Sequence, residues 1–541
     1  MQDRSLPRLD QLTIHKELKE RSATLRDSRM HLKYLLRAKD RLASFSARGG
    51  GLFLDYSRQR LETRTRDLLL SLDRELGLRQ RFEQMRQGAK INLTEERAAL
   101  HTASRSFEAG PIMVDGRDVA PEIDRVRREI ELFCGKVLRC EITGATGRPF
   151  RHAVVVGIGG SYLGTEFVST ALAAYADKGI ELHYLTNVDI HNFAAVARAI
   201  DPAETLWIII SKSYTTAETM ANTGQVEELL RRHQLDPAAH MVTITAQGSP
   251  GDDPGRPVLQ AFHMFDFIGG RYSVTSAVGG VPLGLYVGYE RFEALLKGAA
   301  EMDRHASQAP AHENLPLLAA LISVWNTTYL GYHQQAVIPY ASPLAKLAPH
   351  FQQLNMESNG KAVDRQGQCL PEPSGTVIFG EPGTNAQHSF FQFAHQGRPF
   401  PIDFIGVVTP QYKGFAALSK GITNHQELWA NMLAQAQALA LGAKSQDKAR
   451  HFDGNRPSSI IVLDDLTPKN VGRLLSFYEA RTAYEGFIWG INSFDQFGVQ
   501  LGKRVASNLR QKMAARNQDA TDGQDDLDGV TKFYLDMLYD N

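Results

Sequence analysis

The chain has 541 residues, enough for two to four domains at roughly 100–200 residues each, and its 60 lysines and arginines balance 60 aspartates and glutamates. That zero balance excludes whole-chain electrostatic attraction to nucleic acid or to an anionic membrane, while leaving room for a local cationic site. Three cysteines, Cys134, Cys140 and Cys369, make no CxxC pair and stand at no metal-ligand spacing with histidine, so neither a disulfide framework nor a zinc site is expected.

The first twenty residues lack the apolar run of a secretory signal, and no stretch approaches the roughly 20 apolar residues that span a bilayer, so a soluble cytoplasmic protein is expected. Residues 1–50 are polar and lean basic. Leu18, Leu25, Leu32, Leu35 and Leu36 make a helical stripe, which predicts surface helices with a solvated basic face. No aromatics interleave with the charges, as a nucleic-acid surface would want. Gly49-Gly50-Gly51 punctuates the end of this arm. Residues 61–105 read as further helix, with Thr94-Glu95-Glu96-Arg97 after Asn92 as a helix start. Val119, Ile123, Val126, Ile130, Phe133 and Val137 fall at three- and four-residue steps and predict a helix over 115–138.

The texture then changes. Residues 153–156 (AVVV) are a short β-branched run, with Gly157-Ile158-Gly159-Gly160-Ser161 directly after it and a helix over 166–175. Tyr184-Leu185 reads as a strand, and residues 206–210 (LWIII) as a stronger one, running into Ser211-Lys212-Ser213-Tyr214-Thr215-Thr216 and a helix from Ala217. Residues 242–244 repeat the theme. Strands alternating with helices imply an α/β domain with a parallel sheet. A linking helix over 291–304 leads to a second such block. Its strands are expected at 336–339, 377–379, 404–408 and 460–463, and its helices at 315–329 and 426–441. Residues 517–529 look like an exposed Asp-rich linker. Val530, Phe533, Tyr534, Met537 and Leu538 then mark a short amphipathic helix with something to dock on.

Five constellations carry chemistry. The two strand-to-helix turns come first: Gly157, Gly159 and Gly160 allow close backbone approach and Ser161 adds a hydroxyl, while Ser211, Ser213, Thr215 and Thr216 crowd hydroxyls before a helix. Helix N-termini expose unpaired N–H groups and a positive dipole end, and such turns gather at the carboxyl edge of an open α/β sheet, so the pair suits one phosphate. The glycine turn is neither the dinucleotide fingerprint, since Tyr162 occupies its sixth position, nor a P-loop. Second, Gly269-Gly270 precedes Arg271, a permanent cation able to stabilise developing oxyanion charge or simply to sit solvated in a turn. Third, residues 342–361 (SPLAKLAPHFQQLNMESNGK) hold one acidic side chain, Glu357, which suits a general base and equally a cap or salt bridge. Fourth, His388 follows the polar loop Gly383-Thr384-Asn385 and suits either a proton shuttle or a structural role. Fifth, Gln496 and Lys503 lie in residues 494–503 (FDQFGVQLGK), where a surface lysine is the plain alternative. No nucleophile elbow appears, and no carboxylate–histidine cluster shows metal spacing. The residues themselves describe an α/β enzyme or receptor for a phosphorylated small molecule.

At these motifs the sequence resembles the glucose-6-phosphate isomerase (phosphoglucose isomerase) family: GIGGSYLG at 157–164, SKSYTTAET at 211–219, GGRYS at 269–273, QQLNMESNGK at 352–361, GTNAQH at 383–388, NRPS at 455–458 and INSFDQFGVQLGK at 491–503, with NLTEERAALH at 92–101. The resemblance implies an α/β fold of two sugar-isomerase (SIS-type) three-layer domains with parallel-rich sheets, an N-terminal helical arm and a C-terminal helical tail. Placed on this sequence, it gives an arm over 1–114, domains over 115–300 and 301–512, and a linker with an amphipathic helix over 513–541. It implies reversible isomerisation of glucose 6-phosphate and fructose 6-phosphate through a cis-enediolate, in glycolysis and gluconeogenesis. Glu357 matches the base between C2 and C1, and Arg271 the cation near the enediolate. His388 matches the ring-opening residue, which reaches in from the neighbouring subunit of a homodimer, and Lys503 its partner near the ring oxygen. Gly160, Ser161, Ser211, Lys212, Ser213 and Thr216 match phosphate-binding positions, and Gln353 and Gln496 substrate-contacting amides. No metal or organic cofactor and no nucleic-acid or membrane partner is implied.

The sequence departs from the family pattern where Gln500 replaces a usual glutamate three residues before Lys503, removing one negative charge beside it. Ser213, Tyr214, Phe497 and Ala480 also depart, without removing a proposed catalytic group. Two further readings stay open: a phosphosugar-binding regulator that reuses these domains without catalysis, and an isomerase that also accepts mannose 6-phosphate. Residues 215–218, around Ala217, do not decide the second from one sequence.

Overall fold

The computed structural model describes residues 7–25, 27–108, 110–518 and 527–539, in two units, Met1–Phe494 and Asp495–Asn541. Early in the first unit, Ser46–Gly49 (β1) and Leu52–Asp55 (β2) fold back on one another through Gly50 and Gly51, at φ of 53° and 77°. A two-residue loop in the left-handed region matches the twist of the strands it joins, and glycine enters that region without a Cβ clash. The stretch expected to be a helical arm therefore keeps its helices, Thr13–Thr24 (α1) and Thr63–Leu76 (α2) among them, but carries a hairpin between them. Leu18, Leu25 and Leu32 of the predicted leucine stripe are fully buried in the core, whereas Leu35 and Leu36 are part-exposed.

Residues 94–97 also differ from expectation. Asn92 and Arg97 exchange backbone hydrogen bonds, both 3.1 Å, and the Asn92 side-chain amide donates to Glu95 at 2.7 Å. An asparagine that bonds locally in this way offers the backbone a turn in place of a helix start.

The first sheet has five parallel strands: His152–Val156 (β3), Glu181–Leu185 (β4), Thr205–Ile210 (β5), Met241–Ala246 (β6) and Gln260–Met264 (β7), in the order β4-β3-β5-β6-β7. Parallel sheets are covered on both faces, which is why the inner strands β3, β5 and β6 are near-continuous buried runs. All six residues of β5 are buried. The surrounding helices include Ala120–Leu138 (α3), Leu163–Ala171 (α4), Ala217–Arg232 (α5) and Ala277–Val287 (α6). Ala153, Val155, Ile208 and Ile210 pack on one side with α3 and α6, whereas Val154, Val156, Trp207 and Ile209 pack on the other with Val226 and Leu230 of α5. Strand β7, QAFHM, lacks the β-branched run that marks β3, β5 and β6 in the sequence.

The second sheet joins Gln334–Pro339 (β8), Val377–Phe379 (β9), Ile402–Val407 (β10) and Ser458–Leu463 (β11) to the early hairpin, in the order β1-β2-β11-β10-β8-β9. The last four are mutually parallel, and β2 pairs antiparallel with β11, Leu54 facing Ile461. Its helices include Tyr289–Gln308 (α7), Leu315–Val324 (α8), Leu347–Asn359 (α9), Asn424–Leu441 (α10) and Pro468–Trp489 (α11). Helices α7 and α11 pack backbone to backbone at Gly298 and Gly472. A Cβ there would lie 1.9 Å from the Lys469 carbonyl oxygen and 2.0 Å from that of Leu295.

The second unit contains Gln500–Asn517 (α12) and Gly529–Tyr539 (α13), tied by an Arg516–Asp536 ion pair of 2.8 Å and a Tyr539 hydroxyl donating to the Met513 carbonyl at 3.2 Å. The predicted amphipathic helix is thus present, while most of the Asp-rich linker expected before it lies outside the described residues. Among the described residues no helix is long and apolar enough to cross a membrane.

Candidate active site

The site forms where three turns meet at the carboxyl ends of β3 and β5. After Val156 the chain passes through Gly157–Ser161 into α4, with Gly159 at φ 58°. A Cβ on Gly157 would lie 2.8 Å from the Ser161 Cβ and 3.2 Å from the Ile210 carbonyl oxygen, which sets this turn against the end of β5. A Cβ on Gly160 would lie 2.3 Å from the Gly270 carbonyl carbon and 2.6 Å from the Arg271 nitrogen. The glycine turn and the Arg271 turn therefore touch through bare backbone, and only glycine fits at 160. The Ser273 hydroxyl lies 3.3 Å from the Gly160 carbonyl and 2.7 Å from that of Gly270, fastening the two turns.

The second turn, after β5, brings Ser211, Ser213 and Thr216 to the start of α5. Ser211 Oγ donates to Thr216 Oγ1 at 3.3 Å, and Ser213 Oγ pairs with Thr215 Oγ1 at 2.7 Å. Thr216 stands at the N-cap position without a side-chain cap bond, so the first-turn amides of α5 keep their donors facing outward from the helix end. Lys212 places Nζ 3.0 Å from the Asp266 carbonyl and 3.2 Å from its carboxylate, and burial lowers its pKa.

Arg271 is buried. Its Nε donates to Ser358 Oγ at 2.7 Å, its Nη2 donates to the Ser493 carbonyl at 2.7 Å, and its Nη1 lies 3.5 Å from Glu357 Oε1. Glu357 itself is part-exposed, with 18% of its side chain open. One turn earlier on α9, Gln353 Nε2 lies 3.1 Å from where a Cβ on Gly159 would sit, and its Oε1 is buried with no hydrogen-bond partner among the described residues. Glu357, Arg271 and the two strand-to-helix turns are thus one neighbourhood.

Helix α9 is held from behind. Asn355 and Asn359 both donate to Glu485 Oε2, at 2.6 and 3.0 Å. Arg481 donates to Glu485 Oε1 at 2.9 Å, to Asp403 at 2.7 Å and to the Gln335 side-chain oxygen at 2.6 Å, all buried. Ser493 Oγ donates to Asn359 Oδ1 at 2.7 Å. The Tyr272 hydroxyl shares Ser358 Oγ at 3.1 Å, and its ring stacks on His101 at 4.5 Å. Asn355, Ser358, Asn359, Glu485 and Ser493 were not singled out from sequence. The signal available for the first three was their place flanking Glu357 in NMESN.

His388 ends a short turn, Asn385–His388, beyond β9, and is exposed. That turn leaves Gly383, which is packed flat on the Tyr340 ring. Gln496 and Lys503 belong to the second unit: Gln496 is exposed before the turn Phe497–Val499, and Lys503 is exposed in the first turn of α12, three residues after Gln500. The structure gathers Gly160, Ser161, Ser211, Lys212, Ser213, Thr216, Arg271, Gln353 and Glu357 around the meeting turns, and sets His388, Gln496 and Lys503 on segments of their own.

A buried guanidinium next to a part-exposed carboxylate, beside the amides of a helix start, is equipped for proton transfer on an anionic substrate with charge stabilised in place. The family model described as phosphoglucose isomerase matches residues 55–532. The chain belongs to the phosphoglucose isomerase family. It is 59% identical over 535 residues to a glucose-6-phosphate isomerase of Desulfosudis oleivorans, covering 98% of both chains. It is 42% identical over 509 residues to the cytosolic glucose-6-phosphate isomerase of Arabidopsis thaliana, covering 91% of both. Among solved structures, a glucose-6-phosphate isomerase from Chlamydia trachomatis superposes with a TM-score of 0.88 at 37% identity, covering 94% of this chain and 97% of that one. The matched span contains β3, β5 and α9 and runs on into α13.

Proposed function

We propose that this chain interconverts glucose 6-phosphate and fructose 6-phosphate. The observation that carries the reading is the Glu357–Arg271 pair, 3.5 Å apart, beside the Gly160 and Ser211 turns. Ser161, Ser211, Ser213 and Thr216, with the Gly160 backbone and Lys212, hold the substrate phosphate. Glu357 takes the C2 proton of the open-chain aldose and returns it to C1, while Arg271 stabilises the oxyanion of the cis-enediolate between. Proton transfer conserves atoms and electrons, so the same groups serve both directions. Gln353 and Gln496 contact the sugar.

His388 opens the ring and is offered by the neighbouring subunit of a homodimer, which fits its exposed turn. Lys503 assists at the ring oxygen, and Gln500 beside it leaves that lysine without the usual carboxylate neighbour. The domains are 115–300 and 301–512, with residues 46–55 of the arm lent to the second sheet and 513–541 as tail. The cytosolic relatives support a cytoplasmic location.

The test is a coupled assay on fructose 6-phosphate, with Glu357→Gln alongside. Turnover abolished in the variant while fructose 6-phosphate still binds supports the assignment. Turnover surviving in the variant removes Glu357 from the role, and binding without turnover in the parent favours a regulator.

A further inference from the structure

At the amino ends of β3 and β4, three ligand-type side chains converge that the isomerase chemistry does not use. His152 Nδ1 lies 3.2 Å from His183 Nε2, and Glu181 Oε2 lies 3.7 Å from the first and 3.8 Å from the second. The parallel register explains the meeting. His152 pairs with Glu181 and Val154 with His183, so His152 and His183 stand diagonally on one face of adjacent strands. Sequence spacing hides the cluster because its members come from two strands some 30 residues apart. The phosphate turns follow Val156, about 13 Å further along β3 at ~3.3 Å per residue, so this is a separate place on the domain.

We propose that His152, His183 and Glu181 bind one divalent transition ion of the zinc class. With metal–nitrogen bonds of about 2.0–2.1 Å, two imidazoles on a tetrahedral ion stand about 3.3 Å apart, close to the separation found here. The carboxylate oxygen, slightly farther out, belongs to a side chain that is 73% exposed and free to draw in, whereas the two imidazoles are largely buried and fixed. Two imidazoles and a carboxylate suit zinc and its neighbours better than magnesium or calcium, which want oxygen throughout. Asp201 is near enough to act on His152, but its carboxylate is taken by Arg148 at 2.9 Å and by the Ala203 amide at 3.0 Å, so water completes the coordination. Strand β4 is an edge strand, and the ion pins it to β3.

The experiment is calorimetric titration of zinc into the full chain after dialysis against a chelator, with cobalt as a spectroscopic substitute. One zinc per chain is expected, with the intense visible bands of tetrahedral cobalt. His152→Asn and His183→Asn should each weaken binding by more than the roughly 10- to 100-fold that loss of a supporting neighbour costs, and Glu181→Gln should weaken it measurably while far-ultraviolet circular dichroism stays unchanged. No zinc uptake by the parent, or uptake of unchanged stoichiometry and affinity in both histidine variants, overturns the proposal. Should the histidine variants fail to fold, Glu181→Gln decides alone, because its position is exposed. Unchanged zinc affinity there is likewise a refutation.

Discussion

Arg271 and Glu357 meet across 3.5 Å, the guanidinium almost wholly enclosed and the carboxylate side chain 18% exposed. The arginine spends two other donors on Ser358 and on the Ser493 carbonyl, so its orientation is fixed before substrate arrives. Arg271→Lys keeps the charge and loses this fork. Its kcat should fall about 100-fold, the scale of losing one preorganised oxyanion donor, with a smaller change in KM. Steady-state kinetics in both directions would show it, and a lysine variant with unaltered kcat would remove Arg271 from the charge-stabilising role.

Glu485 anchors α9, the helix that carries Glu357. It collects Asn355, Asn359 and Arg481, and Arg481 is shared with Asp403 in a buried group. Arg481→Met leaves two carboxylates enclosed with no cation between them, and burial already raises the Asp403 pKa. Breaking a buried pair in this way costs about 3–5 kcal/mol. Urea denaturation should register that loss at pH 7, and the loss should shrink in acid as the stranded carboxylates protonate.

These supports show where sequence reading stops. The β-branched runs at 153–156 and 206–210, and the turns after them, are legible because strand burial and helix-end chemistry are local. The helix bearing Glu357 is equally plain. Glu485 and Arg481 are not, since nothing in a helix spanning 468–489 says which polar residue faces Asn355 more than a hundred positions earlier. The hairpin at 46–55 fails for the same reason: its strands are short, and their partner is β11, four hundred residues away. The turn at 94–97 fails differently, by a local rule overridden, because Asn92 bonds Glu95 and its own backbone closes on Arg97.

His350, on the inner face of α9, is fully buried and stacks on Phe167 at 5.7 Å. Burial alone pushes its pKa down to about 4, from an ordinary 6.5. The fold therefore holds the neutral ring. Its contribution to stability is complete above pH 6.5 and is lost as pH falls through 6.5 towards 4, on the order of 3 kcal/mol in all. His350→Gln removes that titration. Its unfolding free energy should depend less on pH between 6.5 and 4 than the parent's, as denaturant midpoints at several pH values would reveal.

Gly160 gives the sharpest steric test. An alanine methyl there would sit 2.3 Å from the Gly270 carbonyl carbon, which is backbone and cannot rotate aside. The turn over 157–161 and the Arg271 turn must then part by about an ångström. Displacements of that size at a reacting centre cost about 100-fold, so kcat/KM for fructose 6-phosphate should drop by at least that much. Gly224, inside α5, has nothing within 4 Å of its added Cβ. Gly224→Ala should leave kinetics unchanged and raise stability by roughly 0.5–1 kcal/mol, because alanine replaces glycine within a helix. If the two alanines behaved alike in kinetics, the close approach of the two turns would not be what positions the phosphate relative to Arg271.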